Sequence, residues 1–274
     1  MCNEPERQHH QSDPACSRRN DDDRKKSLVH PGLRQDYSRR QVIKSALTAG
    51  IAGMAAGAGL MSFSGVSFAA ALTKEQRDAL SPDDIIAMMV QGNERFRSGK
   101  MQQHDYLAQK RASASGQFPA AAILSCIDSR TPAEILLDMG LGESFNARIA
   151  GNICNDHILG SLEFACAAAG AKVILVMGHS ACGAVKGAID GVKLGNLTGL
   201  LDEIKPAVAA TSYDGDRTSE NAEFVDLVAT TNVRRAMDEI RDNSEVLANL
   251  EKEGKIKIVG AMYHLNGGRL ELLD

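Results

Sequence analysis

The run KVILVMGH, Lys172 to His179, narrows the possible folds more than any other stretch of this chain. It is rich in β-branched residues, has no polar break before Gly178, and is too short for a helix of ordinary length. A strand that is apolar on both faces must be covered on both faces, as happens in a parallel sheet with helices on either side. Ala120 to Ser125, AAAILS, is a second such run, bounded by Pro119 and the polar SCIDSR. FNARIAGN, Phe145 to Asn152, alternates enough to predict a third strand, and KIKIVGAMYHL, Lys255 to Leu265, a long last one. Between these lie helical signals. Ser81-Pro82-Asp83-Asp84 combines a capping Ser, Pro at the first position and acids in the first turn, predicting a helix that ends near Gly99. PAEILLDM reads as a short helix, and DHILGSLEFACAAAGA as one opened by Asp156 and stopped at Gly170. ACGAVKGAIDGV reads as another, and a mostly helical tract runs from 196 to 253. GRLELL pairs with the last strand through the Asn266-Gly267-Gly268 turn. Strands alternating with helices predict an α/β fold with a mainly parallel central sheet flanked by helices.

Composition adds two constraints. Trp is absent and aromatics make up 4%, so the core must be built from Ala, Val, Ile, Leu and Met. The net charge of −4 argues against nucleic acid or an anionic membrane surface as a partner. The first 71 residues differ in kind from the rest. Residues 1–44 are polar and charged and end in SRRQVIK, and residues 45–71 are an Ala/Gly-rich apolar stretch closing on small residues. A basic end, an apolar middle and a small-residue exit form a secretory signal, with cleavage expected near Ala69 to Ala71. Arg39-Arg40 resembles the pair of a bacterial twin-arginine signal, with Val42 where that pattern usually has Phe. An uncleaved membrane anchor is the alternative, although the Gly and Ala content makes the stretch weakly hydrophobic. Residues 72–274 then form one catalytic domain carrying 21 basic and 28 acidic residues, a net charge of −7.

The chemistry concentrates at two strand ends, where open α/β sheets place their ligand sites. Cys126 follows one strand, His179 ends another, and Cys182 opens the next helix. Two thiolates and an imidazole suit Zn²⁺, and they meet if the two strands are parallel neighbours. Spacing alone is a weak guide, because Cys154-Asn155-Asp156-His157 offers a mirrored C-x-x-H at another junction. That pair reads better as packing and a helix-start histidine, and Cys166 as a small buried hydrophobe. Cys126 is instead accompanied by Asp128 and Arg130. Four cysteines in an exported domain also permit disulfides, but a domain of this size does not need them.

CIDSR and HSACGA resemble the C-x-D-S-R and H-x-x-C-G signatures of the β-class carbonic anhydrases, and GESFNARIAGN and VGAMYHLNGGRLELL extend the likeness over the mature chain. The resemblance implies a zinc held by Cys126, His179 and Cys182, with a fourth position left for water or hydroxide. It further implies reversible hydration of carbon dioxide to bicarbonate and a proton. Asp128 and Arg130 match the family's Asp–Arg pair, and Asp128 is a fourth ligand if Arg130 lets it go. Gln117, Phe145, Phe164 and Gly183 match substrate-facing positions, Phe145 generally coming from the partner subunit. A homodimer or tetramer, exported to the periplasm through the Tat machinery with its metal already loaded, follows. The auxiliary bicarbonate site of some members uses a Trp, which this chain lacks. The alternatives are carbon disulfide or carbonyl sulfide hydrolysis on the same scaffold, a non-catalytic zinc protein, and a dithiol redox protein using Cys126 and Cys182.

Overall fold

A computed structural model describes residues 71–273. The expected signal region therefore lies outside the described residues, apart from Ala71. Three helices lead in: α1 (Lys74–Ala79), α2 (Pro82–Arg97) and α3 (Tyr106–Ser113). The first two open on capping boxes, Thr73 with Gln76 and Ser81 with Asp84, each satisfying amides that a helix start leaves bare. The α/β body follows as β1 (Ala121–Ser125), α4 (Ala133–Leu136), β2 (Ser144–Arg148), α5 (Asp156–Glu163) and β3 (Val173–His179). It continues through α6 (Gly183–Ile189), α7 (Gly195–Ala210), α8 (Ala222–Asn243), α9 (Glu245–Lys252), β4 (Lys257–Tyr263) and β5 (Leu270–Leu273). Among the described residues no helix is long and apolar enough to cross a membrane.

The five strands form one sheet in the order β2-β1-β3-β4-β5. The first four are parallel, and β5 turns back against β4 through Gly267 and Gly268, both at positive φ. Because side chains alternate across a strand, β3 divides its residues between two cores. Ile174 and Val176 face the layer of α6, α7 and α8. Val173, Leu175 and Met177 face α2 and α4. Helix α8 supplies the longest apolar stripe, from Phe224 through Val228 and Val233 to Ile240, all fully buried. It lies close to the sheet at Gly178, where a Cβ would come within 2.6 Å of Val233.

Most predicted elements stand where the pattern put them, with three differences. The strand expected over Phe145 to Asn152 stops at Arg148, because the chain bends through a short 3-10 turn, Ala150–Asn152, with Gly151 and Asn152 at positive φ. The helix expected to open on Asp156 is capped by Asn155, whose side chain accepts the Ile158 amide, and it widens into a π turn over Phe164–Ala168 before Gly170 ends it. Helices α1 and α3 were not among the predicted elements.

Asn93 on α2 joins the two ends of the domain. Its side-chain amide donates to Leu136 O (3.1 Å) and Gly268 O (2.9 Å), and its carbonyl accepts from the Leu270 amide (2.8 Å). All of this is buried, so truncation orphans three backbone groups at once. Asn93→Ala is expected to lower the unfolding free energy by about 2–4 kcal/mol in urea titrations. A loss below about 0.5 kcal/mol, the size of a neutral surface change, would contradict this role.

Candidate metal centre

β1 and β3 are parallel neighbours, with Ser125 opposite Met177. That register sets Cys126, one residue past β1, beside the carboxyl end of β3 where His179 sits. A tight turn then carries the chain to Cys182, the N-cap of α6. Ala181 makes the turn at φ 53, an unusual conformation for a residue with a side chain. It is held there by α8, since the Ala181 amide donates to Asp226 Oδ1 at 2.8 Å. The turn is pinned on its other side as well. Ser180 N donates to Tyr263 O (3.0 Å), and Ser180 Oγ accepts from the Leu265 amide (2.9 Å).

The ligating atoms of Cys126, His179 and Cys182 all lie within 4.8 Å of one another, and the three residues are 4%, 1% and 1% exposed. The two sulfurs are 4.0 Å apart and both cysteines are free. Two Zn–S bonds of about 2.3 Å at a tetrahedral angle span about 3.8 Å, so this separation fits a shared ion. His179 faces Ser180 O through Nδ1 (2.9 Å), whereas its Nε2 is buried without a hydrogen-bond partner. A buried polar atom left bare is costly; a lone pair aimed at two sulfurs is what a cation would satisfy. Zinc is the metal that β-carbonic anhydrases use, and this cluster fits one such ion.

The surrounding polar groups favour charge on the sulfurs. Contact with Cys182, then with His179 and the Gly151 amide, drives Cys126 well below the usual thiol range. The Gly151 N–H points at Cys126 Sγ from 3.3 Å. The same contact with Cys126, together with burial, raises Cys182, while the Val185 and Ala184 amides at the head of α6 oppose that rise. Two adjacent thiols that cannot both ionise alone are a site built for a cation. Cys154 and Cys166 are pushed up to about 12, chiefly by burial, with no amide or imidazole opposing the rise. Neither they nor His157 join a metal-capable group among the described residues.

Asp128 sits above the cluster with Oδ2 3.9 Å from His179 Nε2. Arg130 holds it in a bidentate pair, Nε to Oδ1 at 2.9 Å and Nη2 to Oδ2 at 2.7 Å, and adds its backbone N–H at 2.9 Å. That guanidinium keeps the Asp128 carboxyl well below the ordinary carboxylate range. The carboxylate is thus turned toward arginine instead of into the cluster. Gly183 begins α6, and a Cβ there would meet nothing within 4 Å, so space is open over that turn.

The other substrate-facing candidates lie elsewhere. Gln117 is exposed before the amino end of β1, and that five-residue strand alone spans about 17 Å. Phe145 and Phe164 meet edge to face at 6.1 Å in a groove of about 610 Å³ along β2, the outer strand of the sheet. One chain therefore gathers Cys126, His179, Cys182, Asp128, Arg130 and Gly183 at one place, and does not gather Gln117, Phe145 and Phe164 there. Sequence reasoning missed four braces: Arg148, Gly151, Asp226 and Asn232. Arg148 donates to Cys126 O (3.0 Å) and to Asp128 O, fixing the loop between them. Asn232 donates to Gly151 O at 2.7 Å. Only Gly151 carried a local signal, as a glycine inside a run otherwise read as strand.

The carbonic anhydrase family model matches residues 121–270 of this chain. The chain belongs to the carbonic anhydrase family. It is 34% identical over 190 residues to carbonic anhydrase 2 of Mycobacterium tuberculosis, covering 67% of this chain and 89% of that protein. It is also 34% identical over 183 residues to a carbonic anhydrase of Mycolicibacterium smegmatis, covering 66% and 88%. Among solved structures it resembles a tetrameric β-carbonic anhydrase from Sordaria macrospora, at 29% identity and a TM-score of 0.54, over 58% of this chain and 83% of the other. The mainly parallel sheet flanked by helices is that of the β-carbonic anhydrases.

If one buried ion protects both sulfurs, chelation is expected to expose two further thiols per chain to labelling and to lower the unfolding temperature. Thiol counts and melting curves that ignore the chelator would separate the pair from metal binding.

Proposed function

We propose that this protein catalyses the reversible hydration of carbon dioxide to bicarbonate and a proton, as a zinc-dependent homo-oligomer exported to the periplasm. One observation carries the catalytic reading. Cys126, His179 and Cys182 converge in a buried cluster with an unpartnered Nε2, and a carboxylate clamped by arginine stands 3.9 Å from that nitrogen. Bound between these side chains, zinc supplies the Lewis acidity that brings the ionisation of water toward neutral pH.

The protein's own groups do the rest. Asp128, kept ionised and kept out of the cluster by Arg130, accepts a hydrogen bond from the attacking solvent molecule and orients it. The Gly183 amide donates toward the oxygen on which charge develops. Carbon dioxide is small and apolar, so it needs a dry wall beside that solvent molecule. Phe145 and Phe164 supply such a wall, and Gln117 a further donor, once a second copy brings them across the β2 edge. The distance between these residues and the cluster in one chain supports a dimer as the smallest active unit. The family match favours carbon dioxide over carbon disulfide or carbonyl sulfide. Free, unlinked sulfurs favour the zinc reading over a dithiol redox protein.

The twin-arginine pair, the apolar stretch and the small-residue exit support export, and a route that carries folded protein lets zinc protect both thiolates before they reach an oxidising compartment. Replacing Arg39 and Arg40 by Lys together is expected to leave the full-length chain in the cytoplasmic fraction, whereas the parent yields a periplasmic chain starting near residue 72. A parent chain that stays cytoplasmic and uncleaved would refute the export reading alone.

Arg130→Ala frees Asp128 to turn toward the metal. Zinc content is expected to stay near that of the parent while hydration falls by about 10²-fold or more, the scale of losing a preorganised group. Metal analysis with stopped-flow hydration assays checks this, and full activity in the variant would remove the Asp–Arg pair from the mechanism.

A further inference from the structure

Hydration of carbon dioxide breaks one O–H bond of water per molecule converted, and the proton released must reach bulk buffer before the next turnover. Water is a poor acceptor near neutral pH, and imidazole is the side chain whose ordinary protonation range spans it. The described residues hold four histidines, and three are committed. His179 belongs to the metal cluster. His104 is buried against Asp138, its Nε2 3.1 Å from the carboxylate. His264 is tied to Glu271 at 2.8 Å and lies beside Arg269.

His157 is different. It stands in the first turn of α5, exposed, with no hydrogen bond to its ring among the described residues. It lines the same groove as Phe145 and Phe164, with Asp156 and Ser161 beside it. Among the described residues it has no metal-binding company. The C-x-x-H spacing that advertised it as a ligand thus leaves an unengaged base on an aromatic wall. The wall is the one that the proposed function assigns to the active site of a second copy.

We infer that His157 is the proton relay of the reaction, receiving the proton of hydration from the partner subunit's site. The inference rests on the hydration reading and on the pairing of copies across β2. The proton leaves the attacking water and passes along solvent to the free imidazole nitrogen, forming one N–H bond. A buffer base then removes it, returning the neutral ring, and no electrons change hands.

The experiment is steady-state hydration by the zinc-loaded mature protein and its His157→Ala variant, in weak buffer and with added imidazole. In weak buffer kcat is expected to fall by about 10²-fold, the low end of what a positioned acid–base group contributes. kcat/KM should stay within about twofold, because proton export follows the conversion of carbon dioxide. Added imidazole should restore kcat. An unchanged kcat, a parallel fall of kcat and kcat/KM, or no rescue by imidazole would each overturn the assignment. A zinc-loaded parent protein with no hydration activity would overturn the hydration reading itself, which separates the two failures.

Discussion

Everything in this domain answers to two sulfurs and an imidazole nitrogen brought together in an almost wholly buried cluster. Sulfurs 4.0 Å apart and almost wholly buried form a poor pair on their own, because ionising one raises the cost of ionising the other. The fold nevertheless holds amides against both of them. Gly151 donates to Cys126, and the head of α6 faces Cys182. A scaffold that spends hydrogen bonds on favouring negative charge in a buried place is arranged for a cation. The sheet provides the first half of that arrangement, since a parallel register puts the ends of β1 and β3 side by side. Helix α8 provides the second half. Asp226 fixes the turn that presents Cys182, and Asn232 fixes the turn that presents the Gly151 amide.

Much of this was legible before any coordinates. KVILVMGH and AAAILS read as strands because both of their faces are apolar, and helices cover both in the structure. The capping residues at Ser81 and the turn at Gly267 and Gly268 also carried their meaning locally. The convergence of Cys126, His179 and Cys182 was legible in two short motifs and the expectation of neighbouring parallel strands. What was missed depends on contacts far apart in sequence. Helix α1 is six residues long and is anchored by Arg77 to Ala169 O and by Lys172 to the carbonyls of Asp78 and Leu80, and no local pattern announces such bonds. FNARIAGN overran as a strand because its alternation continues past the point where Gly151 and Asn152 turn the chain. Arg148, Asp226 and Asn232 carry no signal of their own, since their importance lies in which backbone atom they meet.

The placement of the aromatic pair is the feature behind the proposed pairing of copies. Phe145 and Phe164 lie along the outer strand of the sheet, away from the ligands of their own chain. An unpaired edge with an aromatic groove is a surface that a second copy can close. In the proposed dimer each subunit would supply Cys126, His179 and Cys182 to one site and an aromatic wall to another. Arg130 is more than half exposed while Asp128 is not. The guanidinium that clamps the carboxylate is therefore reachable from solvent in a single chain.

Zinc K-edge X-ray absorption on the purified mature protein tests the central claim most directly. The account predicts two sulfur neighbours near 2.3 Å and one imidazole nitrogen near 2.0 Å, with one further light atom completing four. A shell made only of oxygen and nitrogen, or absence of metal with Cys126 and Cys182 joined as a disulfide, would contradict it.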